Sequence, residues 1–300
     1  MTDIPELVEV SAAGLTITFD GGHGVDPKDD VLLIAEDGVE GWYDFPDDKT
    51  VMSERGQGDG AHDVWQSDFL YSARVITLHF VVSAHDRIGI VRLLNDVRRV
   101  CAHRRVKFRL KDALHDCYVT GRAVLASNGR YGTDGWLEDN TLTVTCERPE
   151  ILSTNSHDGE ARAATIQSGG LSYGSAHAGL SYPLSYGVVS GGATLCRLPN
   201  DGTSRAYPTF TINGDWPSGV SLYLNCEGRR TEIRYNSAIH FGTPVLLDTR
   251  TRTATLGGVD VSKHLSARGW RTIPAGKSLT VLLGTAGSGW VTCSSHDTYM

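Results

Sequence analysis

The first half of the chain contains several short stretches in which apolar and polar residues alternate, and this two-residue period is typical of β-strands. Over residues 74–82, for example, the apolar residues Ile76, Leu78, Phe80 and Val82 share one face. The strands predicted in this half cover residues 15–19, 31–35, 41–45, 74–82, 106–110, 117–125 and 142–146. This half is therefore predicted to form an antiparallel β-sandwich.

A single predicted helix interrupts these strands. Ser83 and Asp86 have the spacing of a capping box, which marks a helix N-terminus. Apolar residues then recur at steps of three or four and form one stripe, at Ile90, Leu93, Leu94, Val97 and Cys101. The far end carries a basic cluster, where the helix dipole favours cations, made of Arg98, Arg99, Arg104 and Arg105. A structural role is sufficient to explain at least some of these arginines.

The last third of the chain returns to strands at spacings of roughly ten residues, with Gly, Asn or Pro between them. This spacing is typical of a compact β-sandwich. The predicted strands cover residues 209–212, 220–225, 231–235, 245–248, 253–256 and 279–283. With 300 residues the chain is long enough for two domains. We therefore predict a mainly β protein with an N-terminal domain over 1–152, a connecting arm over 153–205 and a C-terminal domain over 206–300.

The predicted arm contains Leu-Ser-Tyr three times between Gly169 and Gly187, and one copy lies in the string from Gly170 to Gly174. This string matches G-x-S-x-G, the nucleophile elbow of hydrolases, in which a strand delivers the Ser to a tight turn before a helix. No helix pattern follows Ser172, and repetition of the tripeptide is typical of a connecting segment. The sequence predicts that Ser172 is not a nucleophile and that the chain is not an enzyme.

Charge is unevenly distributed along the chain. Residues 1–70 hold seventeen Asp or Glu and three Lys or Arg, a net of −14, whereas residues 71–130 hold twelve basic and four acidic residues, a net of +8. These blocks could pair within one fold, pair across a contact between copies, or form two solvated faces. An acidic block of this size argues against a nucleic-acid-binding protein, because such a protein needs a basic footprint.

No cofactor or metal site is predicted. The cysteines are scattered without a C-x-x-C pair and are expected to be free and buried, at Cys101, Cys117, Cys146, Cys196, Cys226 and Cys293. The pair His115 and Cys117 lacks the second pair of ligands that a zinc site needs. Acidic residues at 20–30 and 44–48 lack the calcium-loop pattern. No apolar run predicts a membrane span, and no secretory signal is apparent, which favours synthesis in the cytoplasm.

Aromatic residues in the last third have two possible roles. Trp216, Trp270 and Trp290 could form a platform for sugar rings, or they could fill the core between two sheets. Tyr223 and Tyr235 have the same two possible roles. The core role is favoured for most of them.

The order of these features resembles one family. The shared strings are GGLSY…YPLSYG over 169–187, Ala206-Tyr207-Pro208, Ile212-Asn213-Gly214, Leu247-Asp248-Thr249-Arg250 and IPAGKSL over 273–279. Their order and spacing resemble the distal tail proteins of long, non-contractile-tailed bacteriophages. The resemblance covers most of the chain and includes a β-rich domain with one helix before the arm.

The resemblance implies an N-terminal belt domain that closes into a hexameric ring and a galectin-like C-terminal β-sandwich outside the ring. It also implies a structural hub in the virion tail tip, with the tail tube protein and a tail-tip hub protein as partners and with DNA only in transit. It implies no catalytic residue and no membrane insertion. Under this hypothesis Arg98, Arg99, Arg104 and Arg105 face acidic loops of a neighbouring copy or of the tube.

Two other functions stay open on the sequence. In a carbohydrate-binding adhesin, exposed Trp216, Trp270 or Trp290 would hold a host sugar. In a hydrolase, Ser172 would react with a nucleophile-directed probe.

Overall fold

The computed structural model describes residues 5–21, 30–65, 69–128, 135–163 and 194–300. These residues are mainly β-strands arranged in sheets, with one α-helix among them. The predicted fold class, mainly β with β-sandwich-like sheets and one helix, is confirmed. The chain divides into two compact units, the first made of Met1–Thr154 with Tyr299–Met300 and the second of Asn155–Thr298. No helix among the described residues is long and apolar enough to span a membrane.

The first unit contains seven strands that pair in a closed circle, followed by the beginning of an eighth. The elements are β1 (Leu7–Ala12), β2 (Leu15–Asp20), β3 (Val31–Glu40), β4 (Arg74–Ser83), α1 (Arg87–Cys101), β5 (Arg105–Lys111), β6 (Asp116–Ala126), β7 (Trp136–Cys146) and β8 (Ile151–Arg162). The circle runs β1, β2, β3, β4, β7, β6, β5 and back to β1. All pairs are antiparallel except β2 and β3, which join through Asp20 and Leu33. Closure leaves these seven strands without a free edge.

The core of the first unit follows the predicted alternation. Ile76, Leu78, Phe80 and Val82 are all buried on one face of β4, as predicted. The ring of Phe80 meets that of Phe19 edge-on, with 5.1 Å between centroids. Helix α1 buries Ile90, Leu94, Val97, Val100 and Cys101 in the same core. The arginines between these positions therefore face outward.

The second unit contains two antiparallel sheets. Its elements after β8 are β9 (Cys196–Asn200), β10 (Thr209–Asp215), β11 (Val220–Cys226), β12 (Arg229–Tyr235), β13 (Val245–Asp248), β14 (Thr253–Leu256), β15 (Val259–Asp260), β16 (Leu265–Arg268), β17 (Lys277–Leu283) and β18 (Ser288–Tyr299). One sheet has the order β15-β14-β13-β10-β18-β8 and the other β16-β12-β11-β17-β9. Phe210 and Ile212 from the first sheet and Leu222 and Leu224 from the second are fully buried in one core.

Two differences from the sequence prediction lie on either side of β4. Residues 41–45 form turns instead of a strand, because Gly41 has a φ of +75° and a Cβ there would lie 2.1 Å from the Val75 carbonyl oxygen. The helix N-cap is Asp86, whose Oδ1 accepts a hydrogen bond from the Gly89 amide at 2.8 Å. Ser83 instead ends β4 and is buried. The predicted capping box is therefore wrong by three residues.

Both ends of the predicted arm carry strands. β8 covers residues 151–162 and β9 covers residues 196–200, and the boundary between the two units falls inside β8. Ser172 and the Leu-Ser-Tyr repeat lie outside the described residues.

Candidate subunit interface

The basic cluster lies at the C-terminal end of α1 and at the start of β5. Arg98 and Arg99 occupy the last turn of the helix, and both are exposed. Arg104 and Arg105 follow the C-cap residue Ala102 and are also exposed. Arg98 and Arg99 point outward because the opposite face of α1 is buried. The structure therefore brings all four predicted arginines to the surface of the first unit.

Three of these arginines already have partners in their own chain. Arg98 donates to the Asn95 side-chain oxygen at 3.0 Å, and Arg99 pairs with Asp96 at 3.1 Å. Arg105 makes two hydrogen bonds of 2.7 Å to the Glu147 carboxylate. Exposed ion pairs contribute only about 0–1 kcal/mol, so each can be exchanged for a partner at small cost. Arg104 makes no hydrogen bond or ion pair with the part of the chain that the structure describes.

A concave surface adjoins this cluster, and we call it the basic groove. Its volume is about 760 Å³. The residues that give it charge and apolar area lie in β5, in β6 and in the segments after α1 and β7: His103, Arg104, Arg105, Arg122, Val124 and Glu147. Val124 is 66% exposed although it is a β-branched apolar residue. The groove therefore combines cations with an uncovered apolar patch.

A second surface comes from the long connection between β3 and β4, and we call its described residues 43–65 and 69–71 the acidic arm. Six Asp or Glu and two Lys or Arg give it a net charge of −4. It also holds eight of the eighteen large apolar residues that are exposed in the described chain: Tyr43, Phe45, Val51, Met52, Trp65, Phe69, Leu70 and Tyr71. Such a concentration of exposed apolar surface marks a site of interaction.

Hydrogen bonds give the acidic arm a defined form. The amide of Lys49 donates to the Leu70 carbonyl at 2.8 Å, and the amide of His62 donates to the Ser53 carbonyl at 2.9 Å. The amide of Arg55 donates to the Gly60 carbonyl at 3.0 Å and closes the tip. These bonds join the outgoing and returning legs. The arm is therefore hairpin-like, and little of it has to become ordered on binding.

A buried arginine fixes the root of the arm. Arg74 is 1% exposed and donates to the carbonyl oxygens of Gly41, Trp42 and Asp44 at 2.7, 3.1 and 2.7 Å. Its Nε also donates to the Pro149 carbonyl at 2.8 Å. Burial lowers the pKa of Arg74, but a guanidinium stays protonated in proteins. One side chain therefore holds the arm's first residues against the strand that follows the arm.

The second unit places the three predicted tryptophans differently. Trp216 is 1% exposed, and its indole nitrogen donates to the Asn213 carbonyl at 3.1 Å, so no ring face is open to a sugar. Trp270 packs against the core and is half-buried. The Arg162 guanidinium lies 5.6 Å from the centre of the Trp290 ring. These three residues do not form one exposed platform.

Three possible metal ligands meet in the second unit. Ligand atoms of His157, Asp201 and Asp297 lie within 4.8 Å of one another. The Asp297 Oδ1 atom is already bonded to the Asp201 amide at 2.8 Å and to the His157 ring at 3.0 Å. Hydrogen bonding therefore accounts for this cluster.

The pKa values of the cysteine thiols shift in both directions: a hydrogen bond with Cys293 lowers the pKa of Cys196, whereas burial raises the pKa of others. All six cysteines are buried and free, as predicted. Burial raises the pKa of Cys101 and of Cys146 to about 11, which disfavours the reactive thiolate.

The Dit protein of phage SPP1 has a similar structure, with 11% sequence identity, a TM-score of 0.60, and coverage of 98% of this chain and 99% of that chain. That protein is described as a paradigm of the hub adsorption apparatus in phages that infect Gram-positive bacteria. The chain is similar in fold to that hub protein.

Other comparisons give weaker results. Two structures of the phage P2 baseplate in its activated conformation, with Ca and with Sr, match at 10% identity, with TM-scores of 0.49 and 0.48. Each match covers 96% of this chain and 97% of the other. No protein-family model and no curated protein matches the sequence.

The sequence predicts the basic cluster and an acidic partner surface, but it does not predict that the acidic surface also exposes many apolar side chains. The sequence predicts a strand over residues 41–45, and the structure has turns there. One feature of the sequence could have indicated this exposed apolar surface. An acidic stretch without strand alternation contains several large apolar residues: Tyr43, Phe45, Val51, Met52 and Trp65. Apolar residues without a period have no predicted inner face, which is typical of a contact surface.

Proposed function

We propose that this protein is a structural component of a bacteriophage tail, where it forms the hub between the tail tube and the tail tip. The observation that carries this proposal is the similarity in fold to the SPP1 Dit protein over 98% of this chain and 99% of that chain. The shared strings found in the sequence support the same role independently. The protein then acts in the virion after synthesis in the host cytoplasm.

In this role the chain forms a hexameric ring. A ring built from one repeated head-to-tail contact needs two different, complementary surfaces on each copy. The basic groove and the acidic arm supply opposite charge and exposed apolar area. The first unit is the ring-forming belt domain, and the second unit, Asn155–Thr298, is the galectin-like domain outside the ring. The ring's partners are the tail tube protein and a tail-tip hub protein, and DNA passes through its channel.

The role is not enzymatic. A structural hub needs no catalytic group, and the Cys101 thiol that lines the groove is buried, with its pKa raised to about 11, which disfavours the reactive thiolate. We expect a fluorophosphonate probe to leave Ser172 unlabelled. Stoichiometric labelling that disappears in Ser172→Ala would contradict this assignment.

Light scattering coupled to size-exclusion chromatography tests the ring. Six copies of the 32.5 kDa chain give a particle of about 195 kDa. We expect this mass for the protein alone or after addition of the tail tube protein. A mass of one chain under both conditions would overturn the proposed function.

A further inference from the structure

The apolar side chains of the acidic arm are exposed to solvent. Val51, Met52 and Trp65 are 86%, 65% and 81% exposed. Phe45 stacks on Tyr71 with 6.1 Å between centroids, but both rings remain exposed. Burial of such residues is favourable by about 25 cal/mol per Å² of apolar area. The arm therefore has a driving force for docking on another surface.

The basic groove matches the arm in charge and in chemistry. Arg104 and Arg122 are exposed along the groove, and Val124 adds exposed apolar area to the same lining. The arm offers Trp65 together with acidic residues such as Glu54 and Asp59. Trp and Arg are the residues most enriched among interface hot spots, and a guanidinium binds well over an indole face.

We propose that the acidic arm of one copy lies in the basic groove of the next copy and that this contact forms the repeated interface of the ring. This inference rests on the proposed hub function and names the surfaces that assemble it. Val51, Met52 and Trp65 supply the apolar anchors on the arm. Arg104 and Arg122 face the arm's carboxylates. Because arm and groove are different surfaces, each copy uses both and the chain of contacts can close.

A charge-exchange experiment tests this contact. One variant carries Glu54→Arg with Asp59→Arg in the arm, and the other carries Arg104→Glu with Arg122→Glu in the groove. Each variant alone brings like charges together, so we expect its association to weaken by more than about tenfold. Mixed in equal amounts, the two variants restore both charge matches, and native mass spectrometry detects particles in which they alternate three and three.

A second pair of variants tests the apolar anchors. Val51→Ser with Trp65→Ser removes two exposed apolar side chains from the arm, and we expect loss of the ring without a change in the melting temperature of the monomer. Phe241→Ser and Arg229→Glu are the matched controls, because both residues are exposed in the second unit. We expect both control variants to assemble like the wild type.

The possible outcomes separate this inference from the hub function. If the wild type forms rings and all arm and groove variants do so equally well, the arm-to-groove contact is wrong and the hub role stands. If the mixture of charge variants fails to assemble although the wild type does, the contact is also wrong. A fall in the monomer's melting temperature would show that the arm covers its own chain, which overturns the inference. A wild type that never associates overturns the hub role itself.

Discussion

At the scale of single residues, two arginines organise the first unit in different ways. Arg74 is buried and satisfies four backbone carbonyls at the root of the acidic arm. Arg109 is partly exposed and links two strands, since it bonds Asp116 twice, at 2.7 and 2.6 Å, and Glu9 at 2.5 Å. The first residue controls backbone geometry, and the second makes stability depend on pH.

Arg74→Lys is expected to lower the free energy of unfolding by about 1–3 kcal/mol, because an ammonium cannot reach carbonyls on both sides and leaves buried acceptors without donors. Urea unfolding followed by tryptophan fluorescence measures the change. Arg55→Lys is the matched control, since Arg55 is exposed and pairs with Asp63 at the surface. An equal effect of the two substitutions would contradict the role assigned to Arg74.

Asp116→Asn is expected to lower the free energy of unfolding by about 1 kcal/mol at pH 7. The effect is this small because the pair of Arg109 and Asp116 is partly exposed and solvent screens it. The Arg109 guanidinium beside Asp116 lowers the pKa of that carboxyl from 3.8 to about 2. A lowered pKa gives stability that is present above the unfolded-state pKa and is lost as pH falls through the folded-state pKa. The difference in free energy of unfolding between the wild type and the variant should therefore become smaller as the pH falls from about 5 to about 2.

Unfolding curves for both proteins across this pH range measure the narrowing. Asp37→Asn, at an exposed position in β3, serves as the control and should track the wild type. A gap that is as large at pH 2 as at pH 7 would show that Asp116 acts through packing and not through its charge.

At the scale of elements, strong apolar periods predicted structure well. The stripe of α1, the alternation of β4 and the six strands predicted after residue 205 all occur in the structure. A weak apolar period does not predict a strand. In β18 the buried residues Val291, Cys293 and Ser295 stand among small polar residues, and the sequence does not predict this strand. The turn at residues 41–45 could not be predicted from the sequence either, because it depends on the close approach of Gly41 to Val75, which is far away in sequence. The exposed apolar residues of the acidic arm were not predicted for a related reason, because they follow no period.

The N-terminus of α1 provides a test of the corrected cap. Asp86→Ala removes the side-chain acceptor for the Gly89 amide and should cost about 1 kcal/mol of stability. Asp86→Asn retains an acceptor at this position and should cost much less. Thermal unfolding followed by circular dichroism compares the two variants. Equal losses would show that the carboxylate, and not the cap geometry, stabilises this helix.

At the scale of the whole molecule, opposite charge and exposed apolar area lie on two surfaces of the same unit. The sequence located the charge blocks, with nets of −14 and +8, but it did not reveal which residues within them are exposed. The structure places exposed apolar residues in both the arm and the groove. In an assembly that uses both surfaces, salt should weaken the attraction between the charges, whereas the apolar contacts should keep a completed ring together.

Added salt should slow ring formation more than it dissociates a completed ring. The screening length falls from roughly 10 Å at 0.1 M to roughly 3 Å at 1 M ionic strength, which removes long-range attraction between exposed charges but leaves apolar burial. Stopped-flow light scattering measures the assembly rate at both salt concentrations. A rate that does not change with salt would contradict charge-guided docking of the arm.

The central claim is that copies of this chain close into a ring, and electron microscopy of the purified protein tests it most directly. Class averages of the protein, alone and with the tail tube protein, are predicted to show a ring of six subunits around an open channel. Val51→Ser with Trp65→Ser is predicted to abolish these particles. Single chains or open filaments in every wild-type sample would contradict the account.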